Sequence, residues 1–232
     1  MIPWEQLDAA RTPDGKQELR LKRRGSEFSI MLGSNELMNS RLSGSEEALA
    51  RLSLEKLGRR DRINVLIGGL GMGFTLRAAL AELGSDARVT VAELVPAVIA
   101  WARGPMTAIF NGCLEDARVA ISQGDVTAAI DAARREFDAI LLDVDNGPEG
   151  LTQDSNDTLY GFTGLKAAHN ALTAGGVLAV WSCGPDRGFT RRLQQSGFIA
   201  EAVTVRAHGK RGAKHTIWLA VKPHLGNPRK SV

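Results

Sequence analysis

The chain has 232 residues, a hydrophobic fraction of 44% and 29 Lys and Arg against 26 Asp and Glu, a formal net charge of +3. This length suits one domain with a small appendage and a full core, and the composition excludes a disordered chain. No apolar run approaches the roughly 20 residues of a membrane helix, the start Met1-Ile2-Pro3-Trp4-Glu5-Gln6 lacks a signal-peptide layout, and Cys113 and Cys183 have neither metal-site spacing nor the numbers for a disulfide framework. A cytoplasmic protein without a metal is expected. The basic runs Lys22-Arg23-Arg24, Arg59-Arg60, Lys210-Arg211 and Arg229-Lys230 read as solvated loops, with nucleic acid a secondary reading.

In chain order, Gln17–Lys22 and Ser26–Leu32 are strand-like runs around the turn Arg23-Arg24-Gly25. They predict a β-hairpin in front of the main domain, serving as lid, dimer surface or sheet extension, so a homodimer is among the expectations. Leu49, Leu52 and Leu57 mark a helix that Ser45-Glu46-Glu47 opens as N-cap and acidic first turn. Strands at 63–67, 88–92, 117–122 and 137–142 then alternate with helices at 73–83, 96–103 and 126–135, the pattern of a parallel sheet covered on both faces. A helix from Asp157 to Leu172, stopped near Gly175, leads to a fifth strand, Val177–Trp181, and a helix, Phe189–Ser196. Ile199–Ala207 and His215–Val221 are separated by too few residues for a crossover helix and must pair antiparallel. The expected organisation is an N-terminal extension over 1–44, one domain over 45–224 and a basic tail over 225–232.

The chemistry is concentrated after the first parallel strand. Ile63-Asn64-Val65-Leu66-Ile67 runs into Gly68-Gly69-Leu70-Gly71-Met72-Gly73 and a helix start. Gly69, Gly71 and Gly73 permit a sharp turn whose main-chain N–H groups a ligand can approach. The next strand ends in Glu93, about twenty residues on, where doubly wound folds place an acid against ribose hydroxyls. Two further apolar runs stop at Asp125 and Asp143. Ligands of open parallel sheets bind beyond the carboxyl ends of the strands, so Glu93, Asp125 and Asp143 are expected to converge on the rim holding the glycine turn.

Five parallel strands closed by an antiparallel hairpin outline the class I S-adenosylmethionine-dependent methyltransferase fold, an α/β, Rossmann-like architecture with a mostly parallel seven-stranded sheet. A nicotinamide dehydrogenase would continue with a sixth parallel strand. Within that fold, Ser45 to Leu178 resembles the spermidine synthase (aminopropyltransferase) family. The resemblance rests on Val65-Leu66-Ile67-Gly68-Gly69 with its glycine turn, Ala92-Glu93, Gly124-Asp125, Asp138–Asp143 running into Asn146-Gly147-Pro148, and Asp157-Thr158-Leu159-Tyr160. It implies a nucleoside loop at Gly69, Gly71 and Gly73, a ribose acid at Glu93, and an adenine-side Asp125. Asp143, Asp145 and Asn146 stand where that family has its catalytic acidic run, and Glu47 and Tyr160 are the expected acceptor contacts.

The departures fall on the substrate half. The family's loop acid is replaced by Gly71, the fourth place of its Asp-Ser-Ser-Asp run is the amide Asn146, and its tyrosine ahead of the Glu pair is Ser45. The lost loop acid favours intact S-adenosylmethionine, whose carboxylate bare N–H groups would welcome. Methyl transfer to a small-molecule acceptor is therefore the preferred reading. Aminopropyl transfer from decarboxylated S-adenosylmethionine to a polyamine or other amine is the alternative, and a non-catalytic nucleoside-binding module the second. Trp101 and Trp181 read as core, although Trp181 stands near enough to the fifth strand's end to wall a pocket. His169, His208 and His215 read as packed or solvated, and Asp154 and Asp157 as cation contacts or, for Asp157, a helix cap.

Overall fold

The computed structural model describes residues 2–144, 147–148, 158–208 and 211–224. The N-terminal part is more than a hairpin. Strands β1 (Glu5–Arg11), β2 (Glu18–Arg24), β3 (Glu27–Leu32) and β4 (Asn35–Asn39) form an antiparallel sheet in sequential order. The two expected strands are its centre, β2 and β3. Alternation in Leu19 and Leu21, and in Phe28, Ile30 and Leu32, buries one face, which is what made them legible. The flanking β1 is largely exposed along its length and carries no such alternation.

Helix α1 (Gly44–Leu57) leads into the main sheet, whose parallel core is β5 (Asn64–Gly68), β6 (Arg88–Glu93), β7 (Val119–Gln123), β8 (Phe137–Leu142) and β9 (Leu172–Ser182). The C-terminal hairpin of β10 (Ile199–His208) and β11 (Arg211–Val221) closes it, giving the order β10-β11-β9-β8-β5-β6-β7. Pairing is parallel from β9 to β7, and antiparallel for β11 with both β9 and β10. Consecutive residues of these strands enter different cores. Val65, Ile67, Val91, Leu141 and Ala179 face the side of α1, α2 (Phe74–Glu82) and α3 (Pro96–Arg103), whereas Leu66, Ile140, Leu142 and Val180 face α5 (Val126–Ala132), α6 (Phe162–Ala171) and α7 (Arg187–Gln195). A strand buried on both faces reads as a continuous apolar run, the pattern that identified it. Among the described residues no helix is long and apolar enough to cross a membrane.

Local details depart from expectation. The N-cap of α1 is Ser43, not Ser45, whose hydroxyl donates to Glu46 instead (2.6 Å). A short helix, α4 (Thr107–Phe110), interrupts the segment between α3 and β7. Helix α6 stops at Ala171 because Leu172 already pairs with Phe137 as strand, so Gly175 (φ +71°) lies inside β9 and donates its N–H to the Lys222 carbonyl. It is not the helix stop. The expected basic tail, residues 225–232, lies outside the described residues.

Gly73 is the left-handed N-cap of α2 (φ +76°), and an added Cβ would stand 2.5 Å from Phe110 Cε1 on α4. Gly73→Ala therefore combines a disfavoured backbone region with overpacking. It should lose about 3 kcal/mol and lower Tm by roughly 6–12 °C in calorimetry. Gly112→Ala, at φ +77° with nothing within 4 Å of its Cβ, isolates the backbone share and should lose much less.

Candidate active site

Beyond the carboxyl ends of β5, β6, β7 and β8 lies a cavity of about 150 Å³, lined by Gly69, Gly71, Glu93, Asp125 and Asp143 from the rim. The three strand-end acids thus meet at one place. Leu19, Ile30, Leu32, Leu37 and Met38 of the N-terminal sheet cover it, so that sheet forms a roof and not an extension of the main sheet. A second cavity of about 90 Å³ adjoins it, lined by Asn39, Glu46, Met72, Phe74 and Trp181. Leu37, Met38, Gly71 and Asp143 line both. They form the boundary between a large apolar chamber and a small acidic cleft.

The glycine turn is built around Glu93. Gly69 (φ +90°) donates to the Ala92 carbonyl, and a Cβ on it would run into the Asp143 carbonyl oxygen, so the close approach of the β5 and β8 ends requires glycine. Glu93 is buried, and its two oxygens accept from the N–H groups of Leu70 (2.9 Å) and Val95 (2.8 Å). Burial raises its pKa, and these amides oppose that rise. Asp125 caps α5, accepting from the Thr127 N–H at 2.8 Å, and still lines the large chamber. Gly73 lies outside the lining of both cavities; its place is under Phe110.

Asp143 carries the electrostatics of the boundary. Its carboxylate accepts from Thr75 Oγ1 at 2.8 Å, at the first turn of α2. Burial, and then the negative charge of Glu46, push its pKa up to about 7, while the Thr75 hydroxyl pulls the other way. A carboxyl poised there exchanges protons near neutrality.

The acceptor-side expectations are corrected at two residues. Glu47 is exposed on α1, whereas Glu46 lines the cleft. Neighbouring helix residues point about 100° apart, so Glu46 can be half-buried against the cleft while Glu47 is exposed. Tyr160 does not line either cavity. It is 2% exposed and packs edge-on against Phe189 (ring centroids 5.7 Å apart) in the core beneath the sheet. Aromatic walls of the cleft come instead from Phe74 and Trp181. Asp145, Asn146, Asp154 and Asp157 lie outside the described residues. Of the Glu46-Glu47 pair the sequence reading chose the wrong member, and Thr75 and Met38 were not singled out at all, because neither belongs to a motif.

No family model matches the chain. The polyamine aminopropyltransferase of Sulfolobus acidocaldarius is 29% identical over 125 residues, which are 54% of this chain and 40% of that protein. The chain thus matches less than half the length of that curated relative. The crystal structure of the spermidine synthase from Thermotoga maritima superposes with a TM-score of 0.75 at 20% identity, covering 97% of this chain and 75% of that one. A spermidine synthase in complex with the transition-state analogue AdoDATO gives 0.74 at 20% identity, covering 97% and 74%. A probable spermidine synthase from Corynebacterium glutamicum gives 0.64 at 14%, covering 98% and 83%.

These likenesses overturn the preference for methyl transfer, since the relatives found in sequence and in fold are aminopropyltransferases and spermidine synthases. Met38 Sδ packs over Gly71, 3.3 Å from where a Cβ would stand, and the Leu70 and Gly71 amides of the loop already act on the buried Glu93 carboxylate.

Proposed function

We propose that this chain, which is spermidine synthase-like in sequence and carries a class I methyltransferase-like fold, transfers the aminopropyl group of decarboxylated S-adenosylmethionine to a small amine. The observation that carries the reading is the acidic cleft: Glu46 and Asp143 line it together, Trp181 walls it, and it adjoins the larger, apolar chamber at the strand ends. An alkyl ammonium needs carboxylates for its charge and an aromatic face for its methylenes. A methyl acceptor without charge needs neither.

On this reading each residue takes the following role. The nucleoside occupies the large chamber, with Glu93 toward the ribose and Asp125 toward the base. The acceptor enters the cleft as an ammonium, drawn by Glu46. Asp143 takes its proton, and the freed lone pair forms the new N–C bond at the carbon next to the sulfonium. The C–S bond breaks, its electron pair returns to sulfur, and methylthioadenosine leaves. Both cysteines are free, as suits a protein of the cytoplasm.

The direct test is to incubate the protein with decarboxylated S-adenosylmethionine and a panel of diamines, following methylthioadenosine and the aminopropylated product by mass spectrometry. Amine-dependent release is expected; absence of product with every amine would sink the reading. Glu46→Gln supplies a finer check. Removing its charge should raise the acceptor KM about ten- to hundredfold. It also removes a repulsion that holds Asp143 protonated, so the acid limb of kcat/KM should move to lower pH.

A further inference from the structure

Trp181 walls the acceptor cleft, yet among the described residues no hydrogen bond ties its ring in place. Its indole Nε1 is buried and finds no hydrogen-bond partner among the described residues. Its ring contact is His215 of β11, stacked on the indole with centroids 4.9 Å apart and planes inclined by 29°. The strand register explains the meeting. Trp181 pairs with Ile217 across β9 and β11, so His215, two residues before Ile217, lies diagonally across on the same face. Glu46 lies near enough on α1 to act on the imidazole by its charge.

We infer that His215 is a positioning residue of the acceptor subsite, holding the Trp181 indole as a flat wall beside Glu46 and Asp143 by stacking against it. The inference rests on the aminopropyltransferase reading for the identity of the acceptor, and on the ring geometry alone for the contact. An indole without a hydrogen-bond tether keeps its orientation only through packing, and an ammonium is attracted to an aromatic face only when that face is presented to it. Burial lowers the imidazole pKa and the Glu46 charge opposes that. From the strands packed beside it, β9 brings Trp181 and β10 brings Val205, neither of them charged. A neutral ring at this place supports the wall without adding a positive charge that would repel an amine.

His215→Ala and His215→Phe separate stacking from every other role of the imidazole. His215→Ala should raise both the KM and the calorimetric Kd for 1,4-diaminobutane about tenfold, with little change in kcat or in methylthioadenosine affinity. His215→Phe, which keeps a flat ring, should restore both to near the original values. Unchanged diamine affinity in His215→Ala would overturn the inference, as would a His215→Phe variant as impaired as the alanine one. A second measurement does not depend on the acceptor. The fluorescence anisotropy of Trp181, taken as the difference between each variant and the same variant carrying Trp181→Phe, should report a looser indole in His215→Ala and not in His215→Phe. If the unaltered protein binds no diamine, the functional reading fails while the anisotropy still decides whether His215 holds the ring; equal anisotropy in all three would refute that.

Discussion

Asp143→Asn is expected to lower kcat about 10³-fold while leaving nucleoside affinity nearly intact. The substitution keeps the size of the side chain and leaves an oxygen for the Thr75 hydroxyl, but an amide cannot take the acceptor's proton. In the unaltered protein, the proposed activity should show a kcat/KM that falls as pH drops below about 7, because the carboxyl that burial and Glu46 hold protonated must be ionised to act. The same perturbation has a stability sign. Raised from 3.8 to about 7 in the folded state, Asp143 favours folding fully below pH 3.8, and that contribution is lost as pH rises through about 7. Asp143→Asn has no such dependence. It should therefore be the more stable protein at pH 8, with its Tm advantage shrinking toward pH 4. A fully active Asp143→Asn variant would remove Asp143 from the chemistry.

Glu93→Ala is the second large effect, and it combines binding with folding. The carboxylate accepts from the N–H groups of Leu70 and Val95, which follow β5 and β6 respectively. Its removal leaves one buried and one part-buried donor without an acceptor. Stability should fall on the order of 2–4 kcal/mol and nucleoside affinity at least about tenfold, measured by denaturant titration and calorimetry. Glu93→Gln tests the cause. The amide presents an NH2 group to one of two backbone donors, so it should recover only part of the loss, whereas a role confined to the ribose would let Gln recover most of it. Unchanged stability in Glu93→Ala would show that the turn does not depend on this carboxylate.

Both variants act where two levels of organisation meet. Glu93 and Asp143 were legible because each ends an apolar run, and a parallel sheet places all such ends along one edge. The cleft beside them was not legible in the same way. Glu47 and Tyr160 were expected at the acceptor and stand instead on an exposed helix face and in the lower core. The phase of α1 decides between adjacent glutamates, and a motif match cannot read that phase.

What the amino-acid order determined by itself was local and periodic: the apolar runs of β5, β6 and β8, the glycines that let the chain turn after β5, the acids at the strand ends, and a C-terminal hairpin too tightly spaced to be anything but antiparallel. Tertiary structure alone decided the rest. Met38 comes over Gly71 from a separate sheet, Thr75 reaches Asp143 across 68 positions, and Trp181 meets His215 through strand register. These contacts join residues remote in the chain, and their existence depends on how whole layers stack, for which no periodicity within a single segment carries a signal.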